Sequence, residues 1–74
     1  MTVVDLYKRS IDELCKKRFS SCETREQLIF TSVSIGFWLI NECKLDLVTK
    51  EEYKILETYL LELIGKEMDK RTWN

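Results

Sequence analysis

Few residues of this chain are of a type that could do chemistry. The three cysteines, Cys15, Cys22 and Cys43, form no C-x-x-C pair, and there is no histidine. A structural zinc site usually takes four Cys or His ligands, so the sequence predicts neither a metal site nor a bound cofactor. Cys22 lies near a predicted helix N-terminus, a position that can lower the pKa of a thiol. Because no histidine is present to pair with it, we interpret Cys22 as a packing residue.

The acidic residues do not form a catalytic pattern. General acid–base catalysis needs two carboxylates with shifted pKa values in a dry cleft. The Asp and Glu residues of this chain fall instead at helix starts and on the polar sides of helical patterns. The chain also contains no glycine-rich phosphate loop and no catalytic triad motif. We therefore expect a protein without enzymatic activity.

Acidic and basic residues are almost balanced, with 13 Asp and Glu against 12 Lys and Arg. Domains that bind nucleic acid are usually basic, so this balance does not favour such a partner. An alternative hypothesis is a nucleic-acid-binding module whose phosphate contacts come from the first helix. Its basic residues would be Lys8, Arg9, Lys16 and Lys17. The acidic residues Asp5, Asp12 and Glu13 are interleaved with them, which argues against this alternative.

The sequence predicts a cytoplasmic protein. An odd number of unpaired cysteines suits a reducing compartment, and residues 1–10 lack the basic and apolar regions of a signal peptide. The longest uncharged run, Gln27 to Asn41, is 15 residues long. A membrane span needs about 20 mostly apolar residues. We therefore expect a core helix at this place and no membrane association; a third hypothesis is a peripheral membrane protein that exposes the second helix.

Hydrophobic periodicity predicts three helices, over residues 3–18, 21–43 and 50–70. The first and third begin at the capping-box patterns Thr2-x-x-Asp5 and Thr49-x-x-Glu52. Two such patterns compete for the start of the second helix, Ser20-x-x-Glu23 and Thr24-x-x-Gln27. The connection over residues 45–48 is short, so the second and third helices should be antiparallel neighbours.

The second helix is apolar on two sides. One apolar face consists of Ile29, Val33, Phe37 and Ile40, with Gly36 beside it; the other consists of Leu28, Ile35 and Leu39. A helix that is apolar almost all round must be buried against more than one neighbour. Trp38 stands alone in the remaining polar strip.

These patterns predict an all-α fold, a single domain over residues 1–74 built as a three-helix antiparallel bundle around the nearly all-apolar second helix. Chains of this size bury only about 60% of their unfolded surface. Small scaffolds therefore often need disulfides, a metal or oligomerisation. Since the cysteine pattern offers neither of the first two, we expect self-association to complete the bundle, with a homodimer favoured.

Seven residues are candidates for an interaction surface: Trp38, Leu28, Ile35, Leu39, Ile55, Tyr59 and Trp73. Tryptophan is enriched at binding hot spots. Alternatively, the Trp38 ring folds over the edge of the first or third helix within the monomer. On the third helix, Ile55, Tyr59 and Trp73 fall on one side and would form an aromatic docking strip; in the other interpretation Ile55 and Tyr59 edge the core.

The turn before the third helix, Leu47-Val48-Thr49-Lys50-Glu51-Glu52-Tyr53, resembles the turn of SHOCT-like short helical hairpins. These modules occur in small bacterial and phage proteins, and the resemblance covers residues 39–61. Asp46 stands where their pattern has glycine. The resemblance implies an oligomerisation or adaptor role in a phage or mobile element, such as a regulator that binds a host or phage protein. It identifies no catalytic or binding residue.

Overall fold

The computed structural model describes residues 1–71. It contains three helices, α1 (Val3–Phe19), α2 (Arg25–Lys44) and α3 (Lys50–Lys70), and each helix packs against the other two. The predicted all-α three-helix bundle is confirmed. Among the described residues, no helix is both long and apolar enough to cross a membrane. Trp73 lies outside the described residues.

Contacts between the helices fix their directions. Near the start of α1, the Tyr7 hydroxyl donates a hydrogen bond to Glu42 near the end of α2, at 3.2 Å. The last residues of α3 lie beside the end of α1, where Arg71 reaches the Phe19 carbonyl. Successive helices therefore run in alternating directions, and α1 and α3 are parallel to each other.

All three helices begin with a complete capping box whose N-cap residue is threonine: Thr2, Thr24 and Thr49. In each box the threonine hydroxyl oxygen accepts a hydrogen bond from the backbone N–H group three residues later, with an N···O distance of 3.1 Å. Such a cap satisfies backbone donors that a helix start otherwise leaves unpaired. The predicted starts of α1 and α3 are confirmed.

For α2, Thr24 is the cap, so the alternative start after Thr24 is confirmed and the predicted start at residue 21 was wrong. The hydroxyls of Ser20 and Ser21 donate instead to the carbonyl oxygens of Lys17 and Arg18. These serines complete the end of α1 rather than the start of α2, because α1 leaves its last carbonyl groups without helical partners.

A Schellman motif ends α2 and turns the chain toward α3. The Leu47 N–H group donates to the Glu42 carbonyl and the Asp46 N–H group to the Cys43 carbonyl, both at 3.1 Å. Asp46 adopts a left-handed backbone with φ 61°. Glycine is the usual residue at this position because it has no Cβ to clash. The turn delivers Val48, 4% exposed, into the core immediately before the Thr49 cap.

The core lies along the axis where the three helices meet. Its buried residues from the helices are Ile11, Cys15, Phe19, Leu28, Ile35, Leu39, Leu56 and Leu60. Leu28, Ile35 and Leu39 are at most 1% exposed. The prediction that these three belong to an interaction surface was therefore wrong, because α1 and α3 cover this face of α2 within the monomer.

Arg71 connects the end of α3 to the end of α1. Its guanidinium donates to the carbonyl oxygens of Phe19 and Cys22, both at 2.5 Å, and to Glu67 Oε2 at 2.7 Å. A cation at a helix C-terminus interacts favourably with the carbonyl end of the helix dipole. This Arg71 clamp closes one end of the bundle.

Candidate interaction surface

The face of α2 that points away from the core is apolar and exposed. It consists of Ile29, Phe30, Val33, Phe37 and Ile40, and we call it the apolar α2 face. The exposed fraction is 78% for Phe30, 66% for Phe37 and 51% for Val33. Large apolar side chains exposed side by side, rather than singly, are typical of interaction sites.

The apolar α2 face continues into a groove between α2 and α3. The groove has a volume of about 360 Å³. From α2 it is lined by Ile29, Val33 and Ile40, and from α3 by Leu61, Ile64 and Met68. Leu61 is 60% exposed, so it extends the exposed apolar area beyond α2.

Small residues keep this groove open on the α2 side. A Cβ atom added at Gly36 would meet no atom within 4 Å. Next to it, the Ser32 hydroxyl donates to the Leu28 carbonyl at 2.8 Å, which satisfies the hydroxyl within its own helix. The groove therefore presents hydrocarbon and little unmet hydrogen-bonding capacity.

Polar groups of α3 border the groove near Tyr53. The Tyr53 hydroxyl donates to Glu57 Oε2 at 2.9 Å, and both residues line the groove. Burial, followed by this hydrogen bond, raises the pKa of Tyr53. An apolar centre with a polar rim is the usual composition of a protein–protein contact.

Trp38 lies elsewhere on α2, against α1. Its ring centroid is 5.9 Å from that of Tyr7, with an angle of 36° between the ring planes. It is partly buried and packs against the core cluster. This position is the within-monomer alternative considered for Trp38, and it places the indole outside the apolar α2 face.

Ile55 and Tyr59 lie together at the edge between α1 and α3. The Tyr59 hydroxyl donates to Asp12 Oδ1 at 2.5 Å, and the Lys8 ammonium lies 5.1 Å from the ring centroid. The hydrogen bond to Asp12, and then burial, raise the pKa of Tyr59. Ile55 is 49% exposed. The docking strip that combines these two residues with Trp73 stays a prediction.

The basic residues of α1 do not stand apart from acidic ones. Lys8 is turned onto the Tyr59 ring, whose hydroxyl binds Asp12. Lys16 and Lys17 are exposed, but so is Glu13 on the same helix. This mixed surface is the one expected from the interleaved sequence, and it offers no continuous basic stripe among the described residues of α1.

The cysteine side chains are placed for packing. Burial raises the pKa of the Cys15 thiol to about 11, so it stays protonated at neutral pH. Cys22 is 8% exposed, and its Sγ lies 3.3 Å from Thr31 Oγ1 and 3.4 Å from the Arg18 carbonyl oxygen. These contacts agree with the interpretation of Cys22 as a packing residue.

Sequence analysis missed Phe30, the most exposed residue of the apolar α2 face. A signal for it exists in the spacing of Phe30, Val33, Phe37 and Ile40, which alternates between three and four residues. That spacing is typical of the seam between two paired helices.

In comparisons with protein-family models, curated proteins and solved structures, no match to this chain was found.

Proposed function

We propose that this protein is a non-enzymatic interaction module that self-associates through the apolar α2 face and the adjoining groove. The observation that carries the proposal is the exposure of five neighbouring large apolar side chains on one face of a well-capped helix. The resemblance of residues 39–61 to SHOCT-like hairpins implies the same class of role, as an oligomerisation or adaptor module in a phage or mobile element.

The exposed apolar area supports an interface. A phenylalanine side chain buries about 150–250 Å² when covered, so Phe30 and Phe37 together expose roughly 200–350 Å². Monomeric proteins rarely expose a contiguous apolar patch beyond a few hundred Å². Ile29, Val33 and Leu61 extend this patch further, toward the roughly 800 Å² that each partner buries in a standard-size interface.

The chemistry of this surface suits binding to a second copy of the chain. Nothing on α2 between Gln27 and Asn41 is charged, so two copies of the face can meet without burying an unpaired charge. Burying such a charge would be costly. Gly36 adds room for the backbone of a second helix. Pairing would also add apolar burial to a core in which five large side chains are fully buried among residues 1–71.

The test is the solution mass of the wild type and of a Phe30→Gln/Phe37→Gln double variant, by size-exclusion chromatography with light scattering over a wide concentration range. Both side chains are mostly exposed, so the variant should keep its helical circular dichroism. We expect a dimer for the wild type and a monomer for the variant, because the interface loses its two largest apolar groups.

The matched control is Ile55→Gln, which removes an exposed apolar side chain from α3 at the edge with α1. It should leave the dimer unchanged. A wild type that stays monomeric at every concentration would overturn the proposal. If Ile55→Gln dissociated the dimer and the double variant did not, the interface would lie at the α1–α3 edge instead.

A further inference from the structure

Resting on this proposed self-association, we infer that two copies pair antiparallel along α2, with Glu26 of each chain facing Lys44 of its partner. The argument begins from the exposed positions on α2. Reading along the helix, Glu26, Phe30, Val33, Phe37, Ile40 and Lys44 are separated by four, three, four, three and four residues. All six are exposed. We call them the α2 seam.

The α2 seam is symmetric about Ile35, which points into the core. Val33 and Phe37 are equidistant from this centre, and so are Phe30 and Ile40. A two-fold axis through the middle of α2 therefore places Val33 opposite Phe37 of the partner. Closed homodimers have such an axis, and each contact then occurs twice.

The charges at the two ends of the α2 seam decide the direction. In an antiparallel pair, the Glu26 carboxylate meets the Lys44 ammonium of the partner at both ends of the interface. In a parallel pair, Glu26 would meet Glu26 and Lys44 would meet Lys44. Opposite charges at facing positions favour pairing and like charges oppose it. The sequence of charges is thus complementary in one direction only.

The positions beside the α2 seam allow this arrangement. One flank carries the uncharged polar residues Gln27, Ser34 and Asn41, and the other carries Ile29, Gly36 and Cys43. No like charges are brought together on either flank. Near the axis, Gly36 would lie beside Gly36 of the partner, and a Cβ atom there meets nothing within 4 Å in the monomer. Small residues at a crossing let helix backbones approach closely.

Charge exchange tests the direction. We would measure the dimer dissociation constant by sedimentation equilibrium for the wild type, Glu26→Lys, Lys44→Glu and the double variant Glu26→Lys/Lys44→Glu. Each single change should weaken the dimer about fivefold or more at low salt, because it creates two like-charge pairs. The double change should restore the wild-type value within about twofold.

Three further measurements complete the experiment. Lys17→Glu alters an exposed charge on α1 and should leave the dissociation constant unchanged. Raising the NaCl concentration to about 0.5 M should shrink the effect of each single change, because salt screens exposed charges. Circular dichroism confirms that each variant keeps its helices.

The outcomes separate this inference from the proposed function. Weakened single variants with a restored double variant support the antiparallel register. The antiparallel register would be wrong if none of the charge changes altered the dissociation constant of the dimer, or if the double change failed to restore the wild-type value. Self-association itself would still stand in both cases. A wild type that is monomeric throughout overturns both.

Discussion

At the scale of single residues, Asp46 occupies a backbone conformation that costs a side chain more than it costs glycine. Its φ of 61° completes the Schellman motif that ends α2. The Asp46 carboxylate also lies at the negative end of the helix dipole, where an anion is unfavourable. The bundle tolerates both costs because the turn places Val48 in the core and Thr49 at the start of α3.

Asp46→Gly should raise the free energy of unfolding by about 0.5–1 kcal/mol. The gain comes from relief of the left-handed strain, reduced by the greater flexibility of glycine in the unfolded chain. Urea unfolding followed by circular dichroism measures it. Asp46→Ala is the control, since it removes the charge and keeps the Cβ atom. An equal gain from alanine would show that the charge, and not φ, is responsible.

At the scale of helices, the capping boxes explain which helix starts could be predicted from the sequence. Thr2 and Thr49 mark the starts of α1 and α3 from the sequence alone, since a capping box depends only on residues three apart. At α2 two boxes compete, and the choice of Thr24 depends on how Ser20 and Ser21 end the preceding helix. A local sequence pattern cannot predict this choice, because it depends on how the preceding helix ends.

The inner face of α2 could not be predicted by the same reasoning. Both of its faces carry large apolar side chains, so hydrophobicity does not distinguish Leu28, Ile35 and Leu39 from the apolar α2 face. Packing against α1 and α3 decides which face of α2 is buried, and the residues that make such contacts lie far apart in the sequence. Tyr59 with Asp12 is another example, since nothing local in either helix indicates the pair.

Glycine inside a helix leads to a prediction at this scale. Gly65 lies within α3, is exposed, and a Cβ atom there would meet nothing within 4 Å. Gly65→Ala should therefore raise the free energy of unfolding by about 0.5–1 kcal/mol, because alanine loses less backbone entropy in a helix. Thermal unfolding measures the change, with Gly65→Ser as a weaker helix former for comparison. Destabilisation by alanine would contradict the open space at this position.

At the scale of the whole molecule, the Arg71 clamp holds together two helix ends that are far apart in the chain. Arg71 is within one turn of Glu67, and Glu67 accepts its Nε–H group. This hydrogen bond is the main cause of the lowered pKa of Glu67, whose ordinary value is 4.5. A lowered pKa in the folded state means that the ionised carboxylate stabilises the fold.

Glu67→Gln should lower the free energy of unfolding by about 1 kcal/mol at neutral pH. The sign of the pH dependence follows from the lowered pKa: the stabilisation is complete above the ordinary value of 4.5 and is lost as the pH falls through the lower folded-state pKa. The difference between wild type and variant should therefore shrink as the pH falls below 4.5. Urea unfolding at a series of pH values measures it.

The comparison for this prediction is Glu62→Gln, which alters an exposed carboxylate on the same helix. It should change stability little at any pH, because surface charges usually contribute less than a hydrogen-bonded pair. A constant difference between Glu67→Gln and wild type across the whole pH range would show that the clamp does not depend on the charge of Glu67.

The two faces of α2 have separate neighbours, and this separation bears on how the molecule can change. The inner face, with Leu28, Ile35 and Leu39, packs against α1 and α3. The outer side chains of Phe30 and Phe37 are mostly exposed within the monomer. Substitutions at Phe30 and Phe37 should therefore change the outer surface of the bundle and leave its core intact. Under the proposed pairing, a library of variants at Phe30, Val33, Phe37 and Ile40 would keep one fold while changing which copies associate. The bundle would then be a starting point for engineered pairs that do not bind the original chain.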